Sequence, residues 1–147
     1  MSTIRIQHQD FDIGAEADLL AGGRDDVGAV VTFTGHVRGD GGLSALALEH
    51  YPGMTEREIA SHVREAEQRW PLTGVTIIHR IGKLEPGARI VLVATSSCHR
   101  QAAFAAAEFL MDYLKTRAPF WKEEERDGSK TWVAAKDADE EAIRRWR

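Results

Sequence analysis

Two lysines and an arginine crowd a proline break in the stretch MDYLKTRAPFWKEE, Met111 to Glu124: Lys115 and Arg117 precede Pro119, and Lys122 follows it, with Phe120 and Trp121 between. Ammonium groups beside apolar rings are costly to desolvate unless an anion sits with them, so the pattern suits a pocket for a negatively charged ligand. A blander account competes, because lysines in the last turn of a helix favour its negative pole and a solvated lysine needs no function. On an extended strand after Pro119, Phe120, Lys122 and Glu124 share one face, and Trp121, Glu123 and Glu125 share the other. Lys122 then stands beside a ring and a carboxylate, which can move its proton affinity in either direction.

A second cationic pair, His99 and Arg100, follows a Val/Ile/Leu-rich run and opens a long helical pattern. Cations at a helix start oppose the dipole unless an anion neutralises the place, and the free N–H groups there would bind the same anion. Lys115 lies sixteen positions later. At 1.5 Å per residue that is on the order of 24 Å, so one unbroken helix cannot bring His99 and Lys115 to one small ligand. Arg38 ends the run VVTFTGHVR before the glycine loop GDGG, with His36 on the same strand face, and a strand end followed by a flexible loop makes a ligand rim. Cys98 adjoins His99, but a lone cysteine after VLVATSS reads as a small core residue rather than a nucleophile. His8, His50, His62 and His79 form no compact ligand motif, so no metal is expected.

These residues must be positioned by one domain, because 147 residues suffice for one core and not comfortably for two. A formal charge of −4 argues against general affinity for nucleic acid or anionic membranes, so a basic cluster has to be a local site. No apolar run approaches a membrane span or a signal peptide, and the cytoplasm is the expected location. One cysteine excludes an internal disulfide framework.

The elements follow from periodicity. TIRIQ alternates as a short strand, and DIGAEADLL starts a small helix with Ala17, Leu19 and Leu20 inward. GAVVTFTGHVR and SALALEHY read as strands. Thr55 and Glu58 suggest a capping box for a helix over roughly 56–70, stopped by Pro71. GVTIIHRIG and ARIVLVATSS read as buried strands joined by a turn, KLEPG. A strong helix spans about His99 to Lys115, a hairpin turns at Asp127-Gly128, and a last helix starts with Asp137 as cap and Glu140 reaching back. This order predicts an α+β domain with two strand-helix-strand crossovers, right-handed where the strands are parallel in one sheet.

Five stretches, GAVVTFTGHVR, LALEHYPGMTEREI, HRIGKLEPG, SSCHRQAAF and MDYLKTRAPFWKEE, together resemble the MoaE family, the large, catalytic subunit of molybdopterin synthase. The resemblance implies an α/β hammerhead fold with a mixed sheet, covering helices and a C-terminal hairpin, and a central homodimer with a small ubiquitin-like sulfur-carrier subunit of the MoaD family at each end. It also implies a substrate, precursor Z (cyclic pyranopterin monophosphate), which receives two sulfurs from the carrier's C-terminal thiocarboxylate. The thiocarboxylated carrier is then a co-substrate, and no permanently bound cofactor, metal, nucleic acid or membrane is expected. Lys115 and Lys122 match the two catalytic lysines. His36, Val37, Arg38, His99, Arg100, Glu123 and Glu124 match substrate-binding positions alongside them, and Lys136 matches a basic residue donated by the neighbouring protomer. His36 stands where family members can carry lysine, which would weaken phosphate binding at high pH. A non-catalytic carrier-binding or structural subunit is the competing reading.

Overall fold

The computed structural model describes residues 1–133 and 137–147, so Lys136 and the side chain of Asp137 lie outside the described residues. In chain order the elements are β1 (Ser2–Gln7), α1 (Ile13–Ala21), β2 (Ala29–His36), a short 3-10 turn (Asp40–Gly42), β3 (Leu43–His50), α2 (Met54–Arg69), β4 (Leu72–Arg80) and β5 (Gly82–Leu84). They continue with β6 (Arg89–Ser97), α3 (Arg100–Thr116), β7 (Phe120–Arg126), β8 (Ser129–Trp132) and α4 (Asp137–Arg144). The α+β expectation holds, as one domain with two four-stranded sheets in the orders β1-β4-β6-β2 and β5-β3-β7-β8.

The first sheet is mixed. β1 runs parallel to β4, while β4 and β2 are both antiparallel to β6. β1 and β2 therefore point the same way from opposite edges, with α1 crossing between them against β2, β4 and β6. The second expected crossover is different, because β3 and β4 belong to separate sheets and α2 carries the chain from one to the other. β4 and β6 are apolar on both faces, as central strands must be when helices cover both sides. Ile78 and Leu92 meet Phe11 and Ile13 on the α1 side. Val75, Ile77, Val91 and Val93 meet Ile59, Val63, Phe109 and Leu110 of α2 and α3 on the other.

Three local readings change. Leu19 is 69% exposed, whereas Leu20 is buried as expected. α2 is capped by Gly53, whose N–H donates to Glu56 Oε1 at 2.8 Å, so Thr55 is no cap and lies buried inside the first turn. Glu58 reaches His62 one turn on. The KLEPG stretch is only partly a turn, since Lys83 and Leu84 pair with Ala47 and Leu46 as β5. Ala88 N–H donating to Glu85 O closes the turn proper, with Gly87 at φ 90°. The Asp127-Gly128 hairpin is as expected: both residues have positive φ, 50° and 79°, the two-residue turn that matches strand twist. At the last helix, Glu140 binds Arg117, and the expected cap, the side chain of Asp137, lies outside the described residues.

Phe109 anchors the helical layer, with Trp70, Tyr113 and Trp146 ring centroids within 5.5 Å and the Arg69 guanidinium 4.9 Å from its own centroid. Since its side chain is fully buried, Phe109→Ala should cost about 3–5 kcal/mol, read as a lower urea midpoint at an unchanged denaturant slope.

Candidate active site

Lys115 and Lys122 come from different layers. Lys115 is in the last turn of α3, which packs on the first sheet, whereas Lys122 is on β7 in the second. Pairing of Leu46, Leu48 and His50 with Glu124, Lys122 and Phe120 puts those six residues on one face of the second sheet, as strand alternation predicts. Only Arg117, Ala118 and Pro119 separate the two elements.

The two lysines stand where two recesses meet, of about 110 and 310 Å³. The smaller has an apolar wall made by Phe33, Ile90, Val91, Met111, Leu114 and Phe120, with His79 set into it. Gly35 lines it too, and a Cβ there would fall 2.9 Å from Val91 Cγ1, so the missing side chain leaves this space open. The larger recess is polar, with Arg38, Asp40, Glu124 and Arg126 around it and Val37, Leu43 and Leu46 at its apolar side. His36, Ile90, Lys115 and Lys122 belong to both. A flat ring system suits the first space, and an anionic group with hydrogen-bonding neighbours suits the second.

The structure thus gathers His36, Val37, Arg38, Lys115, Lys122 and Glu124. Val37 is there as a core residue, 4% exposed, joined to the β-turn by donating to Ala88 O at 2.9 Å and accepting from Gly87 N–H at 2.8 Å. His36 Nδ1 lies 3.4 Å from Gly87 O. Glu123 is on the opposite face of β7, across from Trp132. His99 and Arg100 are at the far end of α3, exposed beside a separate shallow recess, and His99 caps the helix without a side-chain bond. Cys98 is exposed rather than buried, because the chain has left β6 before reaching it. Arg117 donates to Glu140 at 2.9 and 3.3 Å, which raises the guanidinium's already high pKa and leaves this cation tied to α4.

Sequence reasoning missed His79 and Arg126. Arg126 donates to Glu124 Oε2 at 3.0 Å and to Asp40 O at 2.7 Å, so it fixes both a recess carboxylate and the loop beyond Arg38. His79 continues the buried alternation of Val75 and Ile77, and that apolar period was the available signal. Its ring stacks on Phe120 with centroids 3.8 Å apart. Among the described residues, no group of three or more His, Cys, Asp or Glu converges as metal ligands.

Comparison with known proteins is consistent with this geometry. Residues 6–117 match the family described as MoaE protein. The chain belongs to the MoaE family. It is 62% identical over 148 residues to the molybdopterin synthase catalytic subunit of Mesorhizobium japonicum, covering 99% of this chain and 93% of that one. Against the Escherichia coli molybdopterin synthase catalytic subunit it is 56% identical over 147 residues, covering 97% of each. The solved structure of the molybdopterin biosynthesis MoaE protein from Burkholderia ambifaria superposes with a TM-score of 0.87 at 48% identity, over 99% of this chain and 98% of that one.

Burial pushes the proton affinity of His79 down from an ordinary 6.5 to about 4, and the charges of Lys122, Lys115 and His50 push the same way against the bond to Arg80 O. A ring that binds its proton more weakly folded than unfolded makes the unfolded chain the better proton binder between those two values. The stability from keeping His79 neutral is therefore full above about pH 6.5 and is lost as pH falls toward 4, by about 3 kcal/mol. The fall in urea midpoint between pH 7 and pH 4.5 should accordingly be shallower in His79→Phe than in the unaltered protein.

Proposed function

We propose that this chain works as the catalytic subunit of a molybdopterin synthase, converting precursor Z to molybdopterin with sulfur from the thiocarboxylate of a small MoaD-type carrier. The observation that carries the reading is the convergence of Lys115 and Lys122 where an apolar recess opens into a polar one. The pterin lies against the apolar wall. The carrier's extended tail reaches the lysines, whose ammonium groups hold the thiocarboxylate and offset negative charge as each sulfur is added and the cyclic phosphate opens. Lys115 and Lys122 also give and take the protons of these steps. Arg38 at the rim, and Glu124 held by Arg126, orient the substrate's polar groups.

The chain functions as a homodimer at the centre of a heterotetramer with two carriers. Support comes from α3, where Arg100, Phe104, Ala107, Glu108, Met111 and Lys115 recur at helical spacing. Phe104 is 60% exposed, and Phe33 beside it on the edge strand β2 is 41% exposed. Two such stripes packed antiparallel about Ala107 and Glu108 bury both rings and carry one protomer's His99 and Arg100 toward the other's Lys115. The helix length that separates these groups within one chain then becomes the distance that unites them between two. Lys136 has the same expected role, supplying charge across the dimer.

Lys115→Ala should abolish product formation from precursor Z and thiocarboxylated carrier, by at least about 100-fold in rate. Native rates in that variant would leave a carrier-binding subunit without its own chemistry. Arg100→Ala should weaken precursor Z binding about tenfold, or 1.4 kcal/mol, in calorimetry, with carrier affinity unchanged. Mixed dimers of Lys115→Ala and Arg100→Ala protomers provide the sharper measurement. Such a dimer keeps one intact composite site, so activity should recover toward half of the native value, and no recovery would place Arg100 outside the shared site.

A further inference from the structure

His79 is 7% exposed, at the cavity end of β4, and nothing in the lysine chemistry above uses it. Its Nδ1 is 2.8 Å from Arg80 O. A carbonyl only accepts, so Nδ1 carries the hydrogen and Nε2 is left with a lone pair. The ring's other restraint is the stack on Phe120, at 3.8 Å and 17° between planes. Phe120 is two residues before Lys122 on the same face of β7, so the stack ties the first sheet to the strand that carries this lysine.

The charged and titratable groups around the ring are Lys122 from β7, Lys115 from α3, His50 from β3 and His36 from β2. Its partners along the first sheet, Ile6 and Val91, carry no charge. A cationic His79 would add positive charge beside two ammonium groups in a low-dielectric wall, whereas a neutral ring offers them an acceptor.

We propose that His79 is the positioning residue of the lysine pair: held as the Nδ1–H tautomer, it presents Nε2 as an acceptor to the Lys122 ammonium, keeping that group charged and aimed into the recess. The role this gives Lys122 in sulfur transfer rests on the molybdopterin synthase reading. The contact itself does not. Burial supports the assignment, because it holds the ring neutral from above about pH 4 through neutral pH, where lysine is charged.

The test is the titration of the Lys122 side chain by NMR in the ligand-free protein, with its signal assigned by Lys122→Arg. His79→Asn keeps a donor for Arg80 O and removes the Nε2 acceptor, so the Lys122 pKa should fall by roughly one unit, a tenfold change in ionisation. His79→Gln keeps an acceptor near the Nε2 position and should restore most of it. In reconstituted enzyme the alkaline limb of the pH–rate profile should move toward acid in His79→Asn and return in His79→Gln. Identical Lys122 titrations in all three proteins would overturn the proposal. Histidine ¹⁵N spectra of the unaltered protein check it without any variant: Nε2–H or imidazolium at pH 7 would overturn it equally. A shifted lysine titration in a protein that transfers no sulfur would count against the functional reading while leaving the contact intact.

Discussion

The geometry of the lysine pair depends on a buried hydroxyl. Between α3 and β7 the chain has only Arg117, Ala118 and Pro119 in which to leave one layer and enter the other. Pro119 has no N–H to give, so its carbonyl is the backbone group by which it can be held. Thr55 Oγ1, fully buried in the first turn of α2, donates to that carbonyl at 2.9 Å and accepts from Tyr51 N–H at 2.9 Å. One side chain thereby ties the end of β3, the start of α2 and the link between the lysines. Arg117 N–H donating to Tyr113 O at 2.7 Å closes the helix just before it. Buried and satisfied, this small network specifies where the link lies, and losing its centre would orphan a donor and an acceptor together.

The three basic groups around Pro119 divide accordingly. Arg117 is structural: Glu140 neutralises it and so fastens α4 to the end of α3. Lys115 and Lys122 turn to the recess, where Glu124 and Asp40 are the carboxylates on its wall and Arg126 holds Glu124. A chain of net charge −4 can therefore present a locally cationic pocket, its surplus carboxylates being spent elsewhere in pairs such as Arg5–Glu16 and Arg89–Asp10. Focusing by low-dielectric walls favours an anion at this place over the rest of the surface.

Much of this was legible in the sequence where a local rule governed the outcome. The Asp127-Gly128 hairpin, the buried runs of β4 and β6 and the alanine-rich inner face of α3 follow from turn chemistry and periodicity. The alternation after Pro119 put Lys122 with Phe120 and Glu124 correctly. What was illegible depends on contacts far apart in the chain. Thr55 resembles a cap until Pro119, 64 residues on, arrives to take its hydroxyl. β5 is too short to show a period and exists because β3 needs a partner at its edge. His79 looked like one of several unmotivated histidines because a ligand motif was sought, whereas its environment is made by Phe120 and two lysines from other elements.

On the proposed reading, α3 joins chemistry to assembly. Ala102, Ala103 and Ala106 let it approach the sheet closely, and Phe109 and Leu110 complete its buried side. In the proposed dimer the outer stripe serves both purposes: Lys115 at one end, Arg100 at the other, and exposed Phe104 with half-buried Met111 between them. Apolar surface of this kind beside an unpaired strand edge is unfavourable in water and favours a matching surface. In the proposed dimer that middle supplies the association energy, and the same contact sets the spacing of the charged ends. A protomer alone would then possess its lysines but lack the cations that complete the anion site, so the active site would be assembled only when the dimer is.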